Sequence, residues 1–133
     1  MEEFGEVLGW FAAVCYFISV ANFFVKRIYK TWIARLPKDS AVKKGYQFFM
    51  KLFVKYHRYF GIAAGVFALC HLGWQIVNVR ISYSGVLVTA AMAVTTLLGI
   101  FIAYRRRIGL TKVHRPVAIG ILAVILFHMI TKI

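Results

Sequence analysis

Apolar residues gather along this chain into four long runs, near residues 4–25, 59–79, 84–104 and 116–131, separated by stretches rich in lysine and arginine. Each run approaches the ~20 residues that a helix needs to cross hydrocarbon. The pattern predicts an all-α integral membrane protein. It is an up-down-up-down bundle of four helices in a single domain over residues 1–133, with spans about 4–25, 46–79, 84–104 and 112–131.

The intervening residues refine these bounds. Pro37, in Leu36-Pro37-Lys38-Asp39-Ser40, breaks any helix that begins at Lys26, so Lys26 to Lys55 reads as the longest connection. After it, Phe48, Phe49, Leu52 and Phe53 alternate with Lys51 and Lys55 at helical spacing. Helix two is therefore expected to begin before the membrane and rise out of the interface, as a solvated segment or, alternatively, a docking surface for a soluble partner. The short polar turn Ser82-Tyr83-Ser84-Gly85 makes helices two and three antiparallel neighbours. Helix three stops at Arg105-Arg106-Arg107, Gly109 marks a turn, Thr111 is a candidate N-cap, and Pro116 is tolerable near the start of helix four. Helices two and four consequently run in the same direction.

Composition supports a membrane solvent: 62% of residues are hydrophobic and the mean hydropathy is +0.76, above the roughly 45–50% apolar usage of soluble domains. The first run starts with Glu2, Glu3 and Glu6 rather than a basic region, and no small-residue cleavage site follows, so it reads as a retained helix. A formal charge of +13 would suit nucleic acid, but its placement argues for lipid. Ten of the 17 Lys/Arg lie between Lys26 and Arg58 and five between Arg105 and Arg115, leaving only Arg80 and Lys132 elsewhere. Those segments flank the spans on one side, so they are assigned to the cytoplasm and both termini to the outside of a prokaryotic cytoplasmic membrane. Basic loops beside a bilayer attract anionic headgroups, and no nucleic-acid partner is needed to explain them. Cys15 and Cys70 fall inside apolar runs and read as small hydrophobes.

The most informative feature is a repeat on helices two and four. Lys55-Tyr56-His57-Arg58 is followed by His71, and Lys112-Val113-His114-Arg115 by His128, so that the histidines of each copy are fourteen positions apart, with no histidine elsewhere. Fourteen residues make just under four turns, so both histidines of a helix point to nearly one face, displaced by roughly 40° and about 21 Å along the axis. Two such helices in parallel create two levels, His57 opposite His114 near the cytoplasmic surface and His71 opposite His128 nearer the outside.

Two imidazoles per level select among metals. Structural zinc needs four protein ligands, and no cysteine, aspartate or glutamate stands at either level to complete a tetrahedron. A haem brings four equatorial nitrogens and needs only two axial ones. Covalent attachment needs Cys-x-x-Cys-His, whereas Phe67, Ala68, Leu69 and Cys70 precede His71, so two non-covalent haems of the b type are expected. Small residues leave room for a macrocycle or for close helix packing: Gly61, Ala63, Ala64, Gly65 and Ala68 on helix two, with Ala118, Gly120 and Ala123 on helix four. Arg58 and Arg115, assisted by Lys55 and Lys112, are placed to meet the propionates of the inner haem, a role compatible with anchoring the topology. Arg80 and Lys132 are the cations available to the outer one.

These residues resemble the haem-bearing four-helix core of the respiratory cytochrome b family, in which helices two and four each carry two histidines about fourteen apart. Ferric reductase-type membrane domains are a looser likeness. The resemblance covers nearly the whole chain. It implies bis-histidine ligation of two haems between helices two and four, and electron exchange with quinone or a partner subunit. It also implies glycines against the haem faces, and Gly85 and Gly99 on helix three are again fourteen apart, as are Gly5 and Ser19 on helix one. The helices and loop of an outer quinol site are absent, as are a nucleotide-binding loop, a cysteine cluster and a carboxylate dyad, so no stand-alone catalytic site is expected. The chain reads as the electron-transfer subunit of an oxidoreductase complex, linking a soluble flavin or Fe–S subunit on the cytoplasmic side with quinone or an outer acceptor. The rivals are a histidine-lined transporter for metal ions or protons and a structural membrane subunit.

Overall fold

A computed structural model describes residues 2–106 and 108–131. Four helices follow one another: α1 (Glu2–Thr31), α2 (Ala41–Asn78), α3 (Tyr83–Arg105) and α4 (Thr111–Thr131), with single 3-10 turns at Ile33–Arg35 and Ile108–Leu110. Each is long and apolar enough to cross a membrane. Only 11 to 33% of each apolar window is buried within the chain, so most of the apolar surface faces outward, as an integral membrane protein requires. Phe4, Val7, Phe11 and Val14 on α1 and Val94, Leu97 and Phe101 on α3 are among the exposed large side chains.

The helices pack in chain order, α1 on α2, α2 on α3 and α3 on α4, and α1 also touches α4. The histidine-bearing helices α2 and α4 thus stand across the bundle from each other. Between them the core is built from residues four apart, one helical turn: Ala12, Tyr16 and Val20 on α1, Ala64 and Ala68 on α2, Val88 and Met92 on α3, Ile121 and Ile125 on α4. Ala64 and Ala68 are small enough for close approach, and Gly65 lies where an added Cβ would stand 3.0 Å from Thr96 Oγ1 of α3. Tyr16 ties α1 to α4 by donating its hydroxyl to the Ala118 carbonyl at 2.7 Å.

Lys26 to Lys55 is not the long connection that the position of Pro37 predicts. α1 runs through Lys26 to Thr31, and α2 starts at Ala41, five residues ahead of the expected 46, leaving 32–40 to turn the chain. Leu36 takes the extended conformation (φ −68°, ψ 153°) that a following proline imposes. The proline therefore lies within the connection, just after the 3-10 turn at Ile33–Arg35, and breaks no longer helix. Around this connection the two helices are held by their mutual packing: Tyr29 and Tyr46 stack, Tyr46 donates to the Val25 carbonyl and Gln47 to the Tyr29 hydroxyl, and Lys43 Nζ caps the Ala34 and Leu36 carbonyls at 2.9 and 2.8 Å. At 1.5 Å per residue α2 is about 57 Å long and α1 about 45 Å, against a hydrocarbon thickness of ~30 Å that α3 and α4 nearly match. The α1–α2 hairpin accordingly projects beyond the other pair at the basic end.

At the α3–α4 connection the tight turn is made by Arg106, whose φ of 50° lies in the left-handed region, and not by Gly109, which sits in the 3-10 turn with a negative φ. Thr111 is the first residue of α4 rather than the residue before it. Arg107 and Lys132 lie outside the described residues.

Candidate functional site

Both antiparallel pairs position their histidines through the neighbouring helix. On α1, Gly5 and Ser19 carry the same fourteen-residue interval as His57 and His71 on α2, and antiparallel packing matches Gly5 with His71 and Ser19 with His57. The Gly5 carbonyl oxygen lies 2.7 Å from His71 Nδ1, and the Ser19 carbonyl oxygen 2.9 Å from His57 Nδ1. A carbonyl only accepts, so both Nδ1 atoms carry the proton and Nε2 is the unprotonated nitrogen of each neutral ring. Ser19 is buried, and its hydroxyl adds a second contact to His57 Nδ1 at 3.0 Å while reaching the His57 carbonyl at 3.3 Å.

Gly85 and Gly99 on α3 take a different part. A Cβ on Gly85 would stand 3.2 Å from His128 Cε1, and one on Gly99 3.3 Å from His114 Cε1. Both imidazoles of α4 therefore lie against bare backbone, which only glycine leaves open. Gly9 of α1 holds the same relation to His71, at 3.2 Å from Cε1. The spacing of Gly85 and Gly99 is legible in the sequence, but that they abut the histidine rings is not.

Two levels result. At the inner one the His57 and His114 ring centroids are 6.4 Å apart, with the planes at 78°. Both line a cavity of about 680 Å³ together with Ser19, Gly61, Gly99 and Ala118. Six cations line it as well: Arg58, Arg115 and Lys55, as the sequence places them, and Lys26, Arg27 and Lys30 from the end of α1. The last three are missed by a reading that assigns them to a loop; their signal is the spacing 26, 27, 30, which keeps them on one side of a helix. Lys112 is not part of the lining. At the outer level His71 and His128 line one space of about 20 Å³ with Leu72, Gln75, Arg80, Ser82, Gly85 and Thr89. Of the small residues expected around a macrocycle, Gly61 and Ala118 line the inner cavity and Ala64, Gly65 and Ala68 are buried, whereas Gly120 and Ala123 are exposed, with nothing within 4 Å of a Cβ on Gly120.

The Nδ1 atoms of α4 differ. His128 Nδ1 is 2.9 Å from Ser84 Oγ, which is 2.8 Å from Ser82 Oγ, the N-cap that accepts from the Gly85 amide at 3.2 Å. His114 Nδ1 is buried without a hydrogen-bond partner. Among the described residues no three of His, Cys, Asp and Glu converge as a metal site would require, so the histidines stand as pairs. No family model, curated protein or solved structure matches the chain.

Proposed function

We propose that this chain is a membrane-bound b-type cytochrome with two haems, moving electrons across the bilayer as the membrane subunit of a redox complex. The inner histidine pair carries this reading. A haem brings four equatorial nitrogens of its own and would need only two imidazoles from the protein. His57 and His114 supply two such rings, 6.4 Å apart between centroids, on one cavity of about 680 Å³ whose volume suits a cofactor.

A haem held there supplies a reversible one-electron change at iron. His57 and His114 would hold it, with the Ser19 carbonyl keeping the proton on His57 Nδ1 and leaving Nε2 as the nitrogen able to ligate. Arg58, Arg115 and Lys55, with Lys26, Arg27 and Lys30, offer cations to its propionates. Val20, Ile100 and Ile119 give the cavity apolar walls.

The outer level has the matching donor pair but not the space, because a macrocycle does not enter about 20 Å³ while Gln75, Arg80 and Thr89 stand where they are. The second haem of the proposal therefore rests on the repeat of His71 and His128 and requires those side chains to move aside. A soluble flavin or Fe–S subunit on the basic side, and quinone or an outer acceptor, complete the proposed route.

A visible spectrum is the decisive measurement. The purified protein is expected to show the Soret and α bands of low-spin, six-coordinate b haem that acid acetone extracts. No Soret absorption together with stoichiometric zinc or copper would overturn the reading.

The placement of charge adds an orientation. Ser40 lies in the turn at the tip of the projecting hairpin, among the basic residues assigned to the cytoplasm. A cysteine introduced there is expected to resist membrane-impermeant maleimide applied to intact cells and to react after permeabilisation. Labelling from outside would invert the topology and exchange the two levels.

A further inference from the structure

The unpartnered Nδ1 of His114 belongs to an arrangement that α3 presents twice. Gly85 and Gly99 meet His128 and His114 in the same way, with Cβ positions 3.2 and 3.3 Å from the two Cε1 atoms. The residue before Gly85 is Ser84, whose hydroxyl reaches His128 Nδ1 at 2.9 Å. The residue before Gly99 is Leu98, which has no acceptor to offer, and His114 Nδ1 is buried and unpartnered. His57 has its acceptor in the Ser19 carbonyl. The inner pair thus joins one anchored imidazole to one that is not.

Resting on the haem reading of the inner site, we propose that Leu98 is the positioning residue that makes His114 the weaker axial ligand and thereby raises the potential of the inner haem. A ligating histidine that donates its other N–H to an acceptor is held in orientation and gains basicity, which favours the more positive, oxidised metal. Withholding the acceptor favours the reduced state. Ser84, one interval away on the same helix, shows that a serine at this position of the repeat reaches the ring.

Leu98→Ser tests the proposal in the dihaem protein, read by potentiometric titration with the inner component identified by its loss in His114→Ala. The hydroxyl is expected to favour the oxidised inner haem by about tenfold, a fall of about 59 mV for one electron. Leu98→Ala, which removes the same bulk without supplying an acceptor, is expected to leave that component in place. Leu98→Thr should reproduce the serine effect and serves if the serine variant does not assemble. The wild-type protein provides an independent reading in the reduced, diamagnetic state, where the His114 ring N–H proton should resonate upfield of that of His57. An unshifted inner component in the hydroxyl variants, an equal shift in Leu98→Ala, or matching resonances for the two rings would overturn the proposal while leaving the cytochrome reading intact. Absence of any haem would instead overturn the cytochrome reading.

Discussion

On the proposed cytochrome reading, His57→Ala and His114→Ala are each expected to abolish the same low-spin haem, the inner one, and to leave the other spectroscopic component unaltered. The two residues are 57 positions apart in the chain and on helices that face each other across the bundle, yet their rings stand 6.4 Å apart over one cavity. Loss of either ring would leave the proposed iron with a single protein ligand, converting it to a five-coordinate, high-spin species or releasing it. His71→Ala and His128→Ala are expected to act together on the other component, because those two residues line the outer space about 21 Å away along the helix axis. Electron transfer from one side of a proteoliposome to the other should stop in all four variants. Optical redox titration of each one checks the pairing. A component lost in common by His57→Ala and His71→Ala, with the helix content by circular dichroism unchanged, would show that the histidines pair along α2 and not across the bundle.

Gly99→Val is expected to have an effect nearly as large. Even a single Cβ at this position meets His114 Cε1 at 3.3 Å, and valine adds two methyl groups on a side chain that is stiff in a helix. Overpacking of this kind costs about 1–3 kcal/mol when the surroundings must shift, and the group that must shift here is the ring of a proposed iron ligand. The inner haem should therefore be lost or turned high-spin while the bundle survives. Gly120→Val is the control on the partner helix, since nothing lies within 4 Å of its Cβ and the residue faces outward. Haem content and the electron paramagnetic resonance of the inner component measure both variants. Full retention of a low-spin inner haem in Gly99→Val would mean that His114 does not need the position against Gly99 in order to bind.

The sequence alone determines the solvent, the number of helices and the chemistry on offer. Runs of about 20 apolar residues leave helices as the local solution in hydrocarbon, since every backbone amide must then be satisfied within its own segment. The fourteen-residue interval, a near-integral number of turns, puts His57 and His71 on one side of α2 and His114 and His128 on one side of α4 wherever those helices lie. Local signals were weaker where packing competes with them. Pro37 reads as a break in a helix starting at Lys26, but the Tyr29–Tyr46 stack and the Lys43 cap carry α1 and α2 into a projecting hairpin with a nine-residue turn at 32–40. The cations Lys26, Arg27 and Lys30 become part of the inner cavity only because of that extension.

Tertiary structure decides what the intervals on α1 and α3 are for. The pairs Gly5/Ser19 and Gly85/Gly99 repeat the histidine spacing, yet spacing does not distinguish a carbonyl that accepts from a ring nitrogen from a bare α-carbon on which a ring rests. That distinction depends on how each antiparallel pair is rotated about its axes, set by contacts such as Gly65 against Thr96 and Tyr16 against the Ala118 carbonyl. The difference between an open inner level and a closed outer one is likewise absent from a repeat that treats both levels alike. Gln75, Arg80 and Thr89 line the outer space of about 20 Å³, whereas the described residues lining the inner cavity of about 680 Å³ include six cations and no acidic side chain. Periodicity along a helix fixes which residues share a face; only packing between helices fixes what that face meets.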